Sequence, residues 1–278
     1  MSPNSEENSA IPHAFVSEGP KGARVWKIWS PLWKLRNHRK GRFFPLLATF
    51  GMLVLLSPYQ LTNWIASFRG VTIWDPKSVF VLTDGRYLDH VIPFVPWTIF
   101  VYYTIFLFYL ALPLAAPKTK DGHRELLVTI QFIALASWFA YVVFLLFPAQ
   151  VDLRKQALAL GATEGNLGSF YAGFHWLDRP FNSWPSLHVA QTFLAAIGMT
   201  HWWAREGHKL RIMALWILWT ALALSTLTTK QHFLWDALTG FALGLAAWWF
   251  GLRPALRHLS GKECAKRKKP CIRFQLNN

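Results

Sequence analysis

The chain has 278 residues, of which 53% are hydrophobic and only 15% charged, with 16 Trp and 22 Phe. Soluble domains carry about 25% charged residues, so this composition excludes an ordinary soluble enzyme and suits a chain whose surface faces lipid. The net charge of +15 invites a nucleic-acid reading. The basic residues, however, gather at the two ends beside apolar stretches, as in cytoplasmic flanks of membrane proteins, and nucleic acid is set aside as a partner.

In chain order, residues 1–42 form a polar, basic N-terminal segment carrying Lys21, Arg24, Lys27, Lys34, Arg36, Arg39, Lys40 and Arg42. It has no apolar run of the kind a cleavable signal needs. Six apolar stretches follow, near 43–66, 91–116, 126–148, 185–204, 210–228 and 232–251. Each is long enough for a bilayer, which takes about 20 helical residues. Pro45, Pro58, Pro93, Pro96 and Pro113 fall in or near the first two, where neighbouring helices can satisfy freed backbone groups. The expected fold is therefore an all-α membrane domain of six transmembrane helices over 43–251, followed by a basic tail over 252–278.

The basic residues also orient the spans. The N-terminal segment, the loop with Lys118, Lys120 and Arg124, the loop with Arg205, Lys209 and Arg211, and the tail hold 22 of the 29 Lys and Arg. The opposite side holds Arg69, Lys77, Arg86, Arg154, Lys155, Arg179 and Lys230. Both termini are then expected in the cytoplasm, with loops 67–90, 149–184 and 229–231 outside. Cys264 and Cys271 lie in the tail and read as reduced thiols, since their spacing fits neither a disulfide framework nor a zinc site.

Two clusters at outer span ends break the apolar pattern. The first is Phe181-Asn182-Ser183-Trp184-Pro185-Ser186-Leu187-His188. Pro185 suits the first turn of the fourth helix, whose free N–H groups make an anion site with His188 one turn in. A plain helix cap is the bland alternative. The second is Lys230-Gln231-His232-Phe233-Leu234-Trp235-Asp236, in which His232 and Asp236 stand at i and i+4 and are expected on one helix face. An Asp inside a span needs a partner, and a carboxylate beside an imidazole raises its basicity and supports its cation. A purely structural pair is the alternative there. The fifth span returns the chain, so both histidines lie at one depth. One imidazole could attack phosphorus and the other protonate the leaving oxygen, with Arg154, Arg179 and Lys230 as cationic surroundings. A zinc or iron site from the same residues would explain neither those cations nor the Pro-Ser helix start.

Pro185-Ser186-Leu187-His188 followed by Ser225 and His232-x3-Asp236 resembles the second and third signatures of the type-2 phosphatidic acid phosphatase superfamily. Phe147-Pro148, Asn182 and Thr229-Lys230-Gln231-His232 look most like its branch of inositol phosphorylceramide synthases and related bacterial proteins. The resemblance covers roughly 90–250. It implies a phosphohistidine on His232, oriented by Asp236, with His188 as general acid, phosphate oxygens held around Ser186 and Leu187, and no metal or other cofactor. Two departures stand out. Ser225-Thr226 replaces the usual Ser-Arg of the third signature, and the first signature is absent in its usual form. Arg154 is the candidate for the phosphate-binding role, with Lys230, Arg179 and Asp178 as further substrate contacts.

The leading expectation is a metal-independent phosphatase of membrane lipid phosphates. A phosphotransferase moving a phosphoryl-bearing headgroup onto an alcohol or another lipid uses the same histidines. A non-catalytic lipid-binding or transport protein is the reading from another class. The expected location is a bacterial inner membrane with the site facing the periplasm or exterior, and the oligomeric state is left open. Among weaker signals, Gly240 and Gly244 suggest close helix packing. Trp202, Trp203, Trp248 and Trp249 read as interfacial anchors, and Asp75, Asp84 and Asp89 as solvated loop charges. His201 and His208 are assigned no role.

Overall fold

A computed structural model describes residues 21–35 and 44–267, with side chains over 22–34 and 44–261. Cys271, the basic residues from Arg36 to Arg42 and those from Lys268 onward lie outside this range, as do the side chains of Cys264, Lys262, Lys266 and Arg267. Among the described residues the chain is helical, with two isolated bridges and no strand. The helices are α1 (Ser30–Leu35), α2 (Phe44–Leu56), α3 (Pro58–Arg69), α4 (Leu88–Val91), α5 (Ile99–Tyr102), α6 (Ile105–Ala115), α7 (Lys120–Leu146), α8 (Leu153–Ala159), α9 (Gly168–Leu177), α10 (Leu187–Arg205), α11 (Lys209–Thr228), α12 (Leu234–Ala247) and α13 (Arg253–Arg267).

Four helical runs are long and apolar enough to cross a membrane: Phe44–Arg69, Pro96–Ala115, Lys120–Leu146 and Lys209–Thr228. The first is interrupted at Ser57, ahead of Pro58, where α2 gives way to α3. The second opens with a 3-10 turn at Pro96–Thr98, later than the expected residue 91, because Pro93 and Pro96 hold the preceding chain extended. The other two expected spans are α10 and α12. His188, Gln191, Thr192, Thr200 and His201 make α10 less apolar, and α12 has only 14 residues before a π turn at Trp248–Leu252 leads into α13.

Helix α10 is the hub, packed by α6, α7, α11 and α12. Its contact with α12 uses both glycines: a Cβ on Gly240 would stand 2.3 Å from Ser186 O, and one on Gly244 would stand 3.0 Å from Phe193 Cδ1. Gly240→Val is thus expected to force backbone apart and cost about 3 kcal/mol or more, seen as a lower melting temperature in detergent. Gly261→Ala, with nothing within 4 Å of its Cβ among the described residues, is the control, and equal melting of the two variants would refute the close contact.

The chain ends are more deeply involved than basic flanks need be. Trp29 and Trp33 are buried in the core, and Gln131 on α7 exchanges hydrogen bonds with Trp26 N and Arg24 O, each 2.9 Å. In α13, Ala255, Leu256 and Leu259 join the same core. Trp202 is also interior rather than an anchor at the membrane interface. Its indole donates at 2.9 Å to Glu125, a fully buried carboxylate that further accepts from Arg205 Nη2 at 2.7 Å and Ser260 Oγ at 3.0 Å. A buried charge in apolar surroundings needs such compensation, and here it ties α7, α10 and α13 together.

Candidate active site

The two sequence clusters meet at the N-terminal ends of α10 and α12. Before α10, Asn182 Nδ2 donates to Thr62 Oγ1 at 3.0 Å, fixing the extended run against α3. Pro185 stands just outside the helix rather than in its first turn, because Ser186 is the N-cap. Ser186 N donates to Asp236 O at 2.9 Å, while Ser186 Oγ is buried without a partner among the described residues. His188 follows in the first turn. Its ring lies 4.6 Å from that of Tyr102, whose hydroxyl is 3.4 Å from His188 Nδ1.

Between α11 and α12 the chain reverses in a tight turn, with Thr226 O accepting from both Gln231 N and His232 N at 3.1 Å. Lys230 takes a left-handed φ of 59° there. His232 consequently precedes α12 instead of sharing its face with Asp236. Asp236 Oδ2 accepts from Phe233 N at 2.9 Å and caps the helix, and lies 3.5 Å from His232 Nδ1. The opposite ring nitrogen, His232 Nε2, is 3.2 Å from His188 Nδ1. Both histidines and Asp236 therefore form one chain of contacts.

The basic residues separate. Arg154, on α8, is buried and bonds Asp178 twice, through Nη1 to the backbone oxygen at 2.5 Å and through Nη2 to Oδ2 at 3.1 Å. Its Nε has no partner among the described residues. Asp178 also accepts from Tyr59 Oη and from Asn63 Nδ2, the latter at 2.8 Å. This pair lies within electrostatic reach of both histidines. Arg179 is exposed, bonds Ser67 Oγ, and lines a groove of about 440 Å³ with Trp64 and Trp176. Lys230 is fully buried, and its ammonium donates to Asp89 O at 2.7 Å and Ile92 O at 2.5 Å. Burial pulls the Lys230 pKa down. The left-handed turn has aimed this side chain at α4 rather than at the histidines. The Leu187 side chain packs with Ala140, Tyr141 and Phe144.

Several contributors were not singled out from the sequence. Asp89, expected in solvent, is buried, which pushes its pKa up, and its Oδ1 accepts from Leu234 N at 2.6 Å as a second cap on α12. Asp84, by contrast, is an exposed partner of Arg86. Tyr102 and Tyr59 carry no local pattern that marks them. Among the described residues no three His, Cys, Asp or Glu side chains are grouped to hold a metal ion.

Paired imidazoles, one carboxylate and a nearby guanidinium, gathered at one end of a helical bundle, are groups of the kind that can carry acid–base and nucleophilic chemistry on anions. Residues 122–257 match the family model of the PAP2 superfamily. The matched segment begins within α7 and ends within α13, so it contains both histidines, Asp236 and Arg154. No curated protein and no solved structure matches the chain.

Proposed function

We propose that this protein is a membrane lipid-phosphate phosphatase of the PAP2 type that works through a phosphohistidine on His232, without a metal. The observation that carries the reading is the environment of His232, with the Asp236 carboxylate 3.5 Å from one ring nitrogen and the His188 imidazole 3.2 Å from the other. In the first step His232 Nε2 bonds to phosphorus as the P–O bond to the lipid breaks, and the departing oxygen takes its proton from His188. Asp236 supports the positive charge that grows on the attacking ring. In-line displacement needs nucleophile and leaving oxygen on opposite sides of phosphorus, so the two imidazoles part to admit the phosphoryl group. Arg154 Nε, Ser186 Oγ and the free N–H groups of α10 supply donors for its oxygens. In the second step an acceptor hydroxyl takes the phosphoryl group from His232 and returns a proton to His188.

The proposed setting is a bacterial inner membrane crossed six times, with α10 and α12 completing the four runs above, both termini cytoplasmic and the histidines facing outward. Transfer to an alcohol acceptor, as in the inositol phosphorylceramide synthase-like branch that the sequence resembles, uses the same groups. The test is phosphate release from phosphatidic acid and a polyprenyl diphosphate by detergent-purified protein in EDTA. Release that persists in EDTA supports the reading. No turnover on either lipid, with or without an added alcohol, would sink it.

A further inference from the structure

Gln231 sits immediately before the proposed nucleophile and has no part in the chemistry above. It is 1% exposed, its Nε2 donates to Thr229 O at 3.0 Å and lies 3.2 Å from His175 Nε2, and its Oε1 has no partner among the described residues. With the amide nitrogen engaged twice, the carboxamide orientation is set and the group left free is a hydrogen-bond acceptor. A buried acceptor without a donor is costly and calls for an explanation. His175 connects to the site through a run of aromatic rings: its centroid is 6.4 Å from that of Phe174, Phe174 meets Tyr102 edge-on at 5.0 Å, and Tyr102 lies 4.6 Å from His188. Burial, and then the Arg154 guanidinium, pull the His175 pKa down to about 4. The ring is thus neutral near pH 7 and can accept from the Gln231 amide.

The missing donor has a chemical identity. The second step must bring in a hydroxyl whose proton goes to His188. Water has two O–H bonds, so one can pass its proton to His188 while the other donates to a fixed acceptor. A monohydric alcohol has a single O–H and nothing left to donate. We propose that Gln231 Oε1 receives the attacking water and thereby sets hydrolysis over transfer, with His175 as the positioning residue that holds the Gln231 amide. The step balances: the water O–P bond forms, the P–Nε2 bond to His232 breaks with its electron pair returning to the ring, one proton goes to His188 and the other stays on the phosphate. A glutamine that orients the attacking water is established chemistry for phosphoryl transfer. This inference rests on the phosphohistidine reading above.

The experiment uses the full chain in detergent, with ³²P-labelled phosphatidic acid in rapid-quench time courses, in buffer with and without ethanol. For Gln231→Met, phosphoenzyme formation is expected within about threefold of wild type. Its hydrolysis is expected to slow about tenfold or more while ethanolysis is spared, so the ratio of ethyl phosphate to phosphate rises by the same factor. His175→Asn is expected to shift the ratio in the same direction by less. Should Gln231→Met not yield folded protein, Gln231→Asn, which withdraws the carboxamide by one methylene, reads the same ratio. An unchanged ratio, or formation and breakdown slowed alike, overturns the role of Gln231 while leaving the phosphohistidine intact. A wild type that forms no phosphoenzyme overturns the underlying reading and this inference with it.

Discussion

His232→Ala is expected to abolish both the phosphoenzyme and phosphate release, a loss of about 10⁵-fold or more, as when a nucleophile is deleted from a unit that acts together. No neighbour is placed to substitute. The Lys230 ammonium is engaged by the carbonyls of Asp89 and Ile92, and Asp236 is tied to the backbone of Phe233. His188 would remain with Tyr102 but without the carboxylate that supports a developing cation. The measurement is acid-labile, base-stable label trapped on the protein during turnover. Label surviving in His232→Ala and vanishing in His188→Ala would exchange the two roles, and label in both would remove the histidines from the chemistry.

Asp236→Asn is expected to lower turnover by about 10²- to 10⁴-fold with little change in melting temperature. Its carboxylate does two jobs, capping α12 at Phe233 N and facing His232 Nδ1. Asparagine retains an oxygen for the cap, but it lacks the charge that stabilises imidazolium and selects the tautomer. Asp236→Ala removes both functions and is expected to lose about 0.5–2 kcal/mol of stability in addition. The second cap, Asp89 Oδ1 on Leu234 N, keeps α12 from unravelling in either variant. Equal activity of Asp236→Asn and wild type would make this residue a cap alone.

What the sequence reveals depends on whether a feature is local. The histidines and Asp236 stand out because polar residues interrupt apolar runs at span ends, and the return through α11 brings the two clusters to one end of the bundle. The glycine spacing of α12 gave its close face for the same reason. Lys230 is a different case. As a residue type it reads as a phosphate ligand, but a left-handed φ turns it into α4, and nothing in the neighbouring letters announces that conformation. Asp89, Tyr59 and Tyr102 act across more than fifty positions of chain, where no periodicity exists to betray them. Likewise Trp29 and Trp33 sit in a basic stretch whose composition suggests a flank, yet their burial depends on partners elsewhere in the chain, with Gly51 of α2 against Trp29 and Arg124 of α7 over Trp33. The late start of α12 follows from its two carboxylate caps, one local and one remote.

The single bond from Ser186 N to Asp236 O, together with the close approach at Gly240, has a consequence for how the protein comes to life. The ribosome delivers His188 well before His232 and Asp236, so a nascent chain whose final hairpin is still unmade holds only half of the constellation. Chemistry would begin only once that hairpin has inserted and docked. An incompletely assembled molecule would therefore be silent toward the lipids around it, and turnover would report that biogenesis is complete.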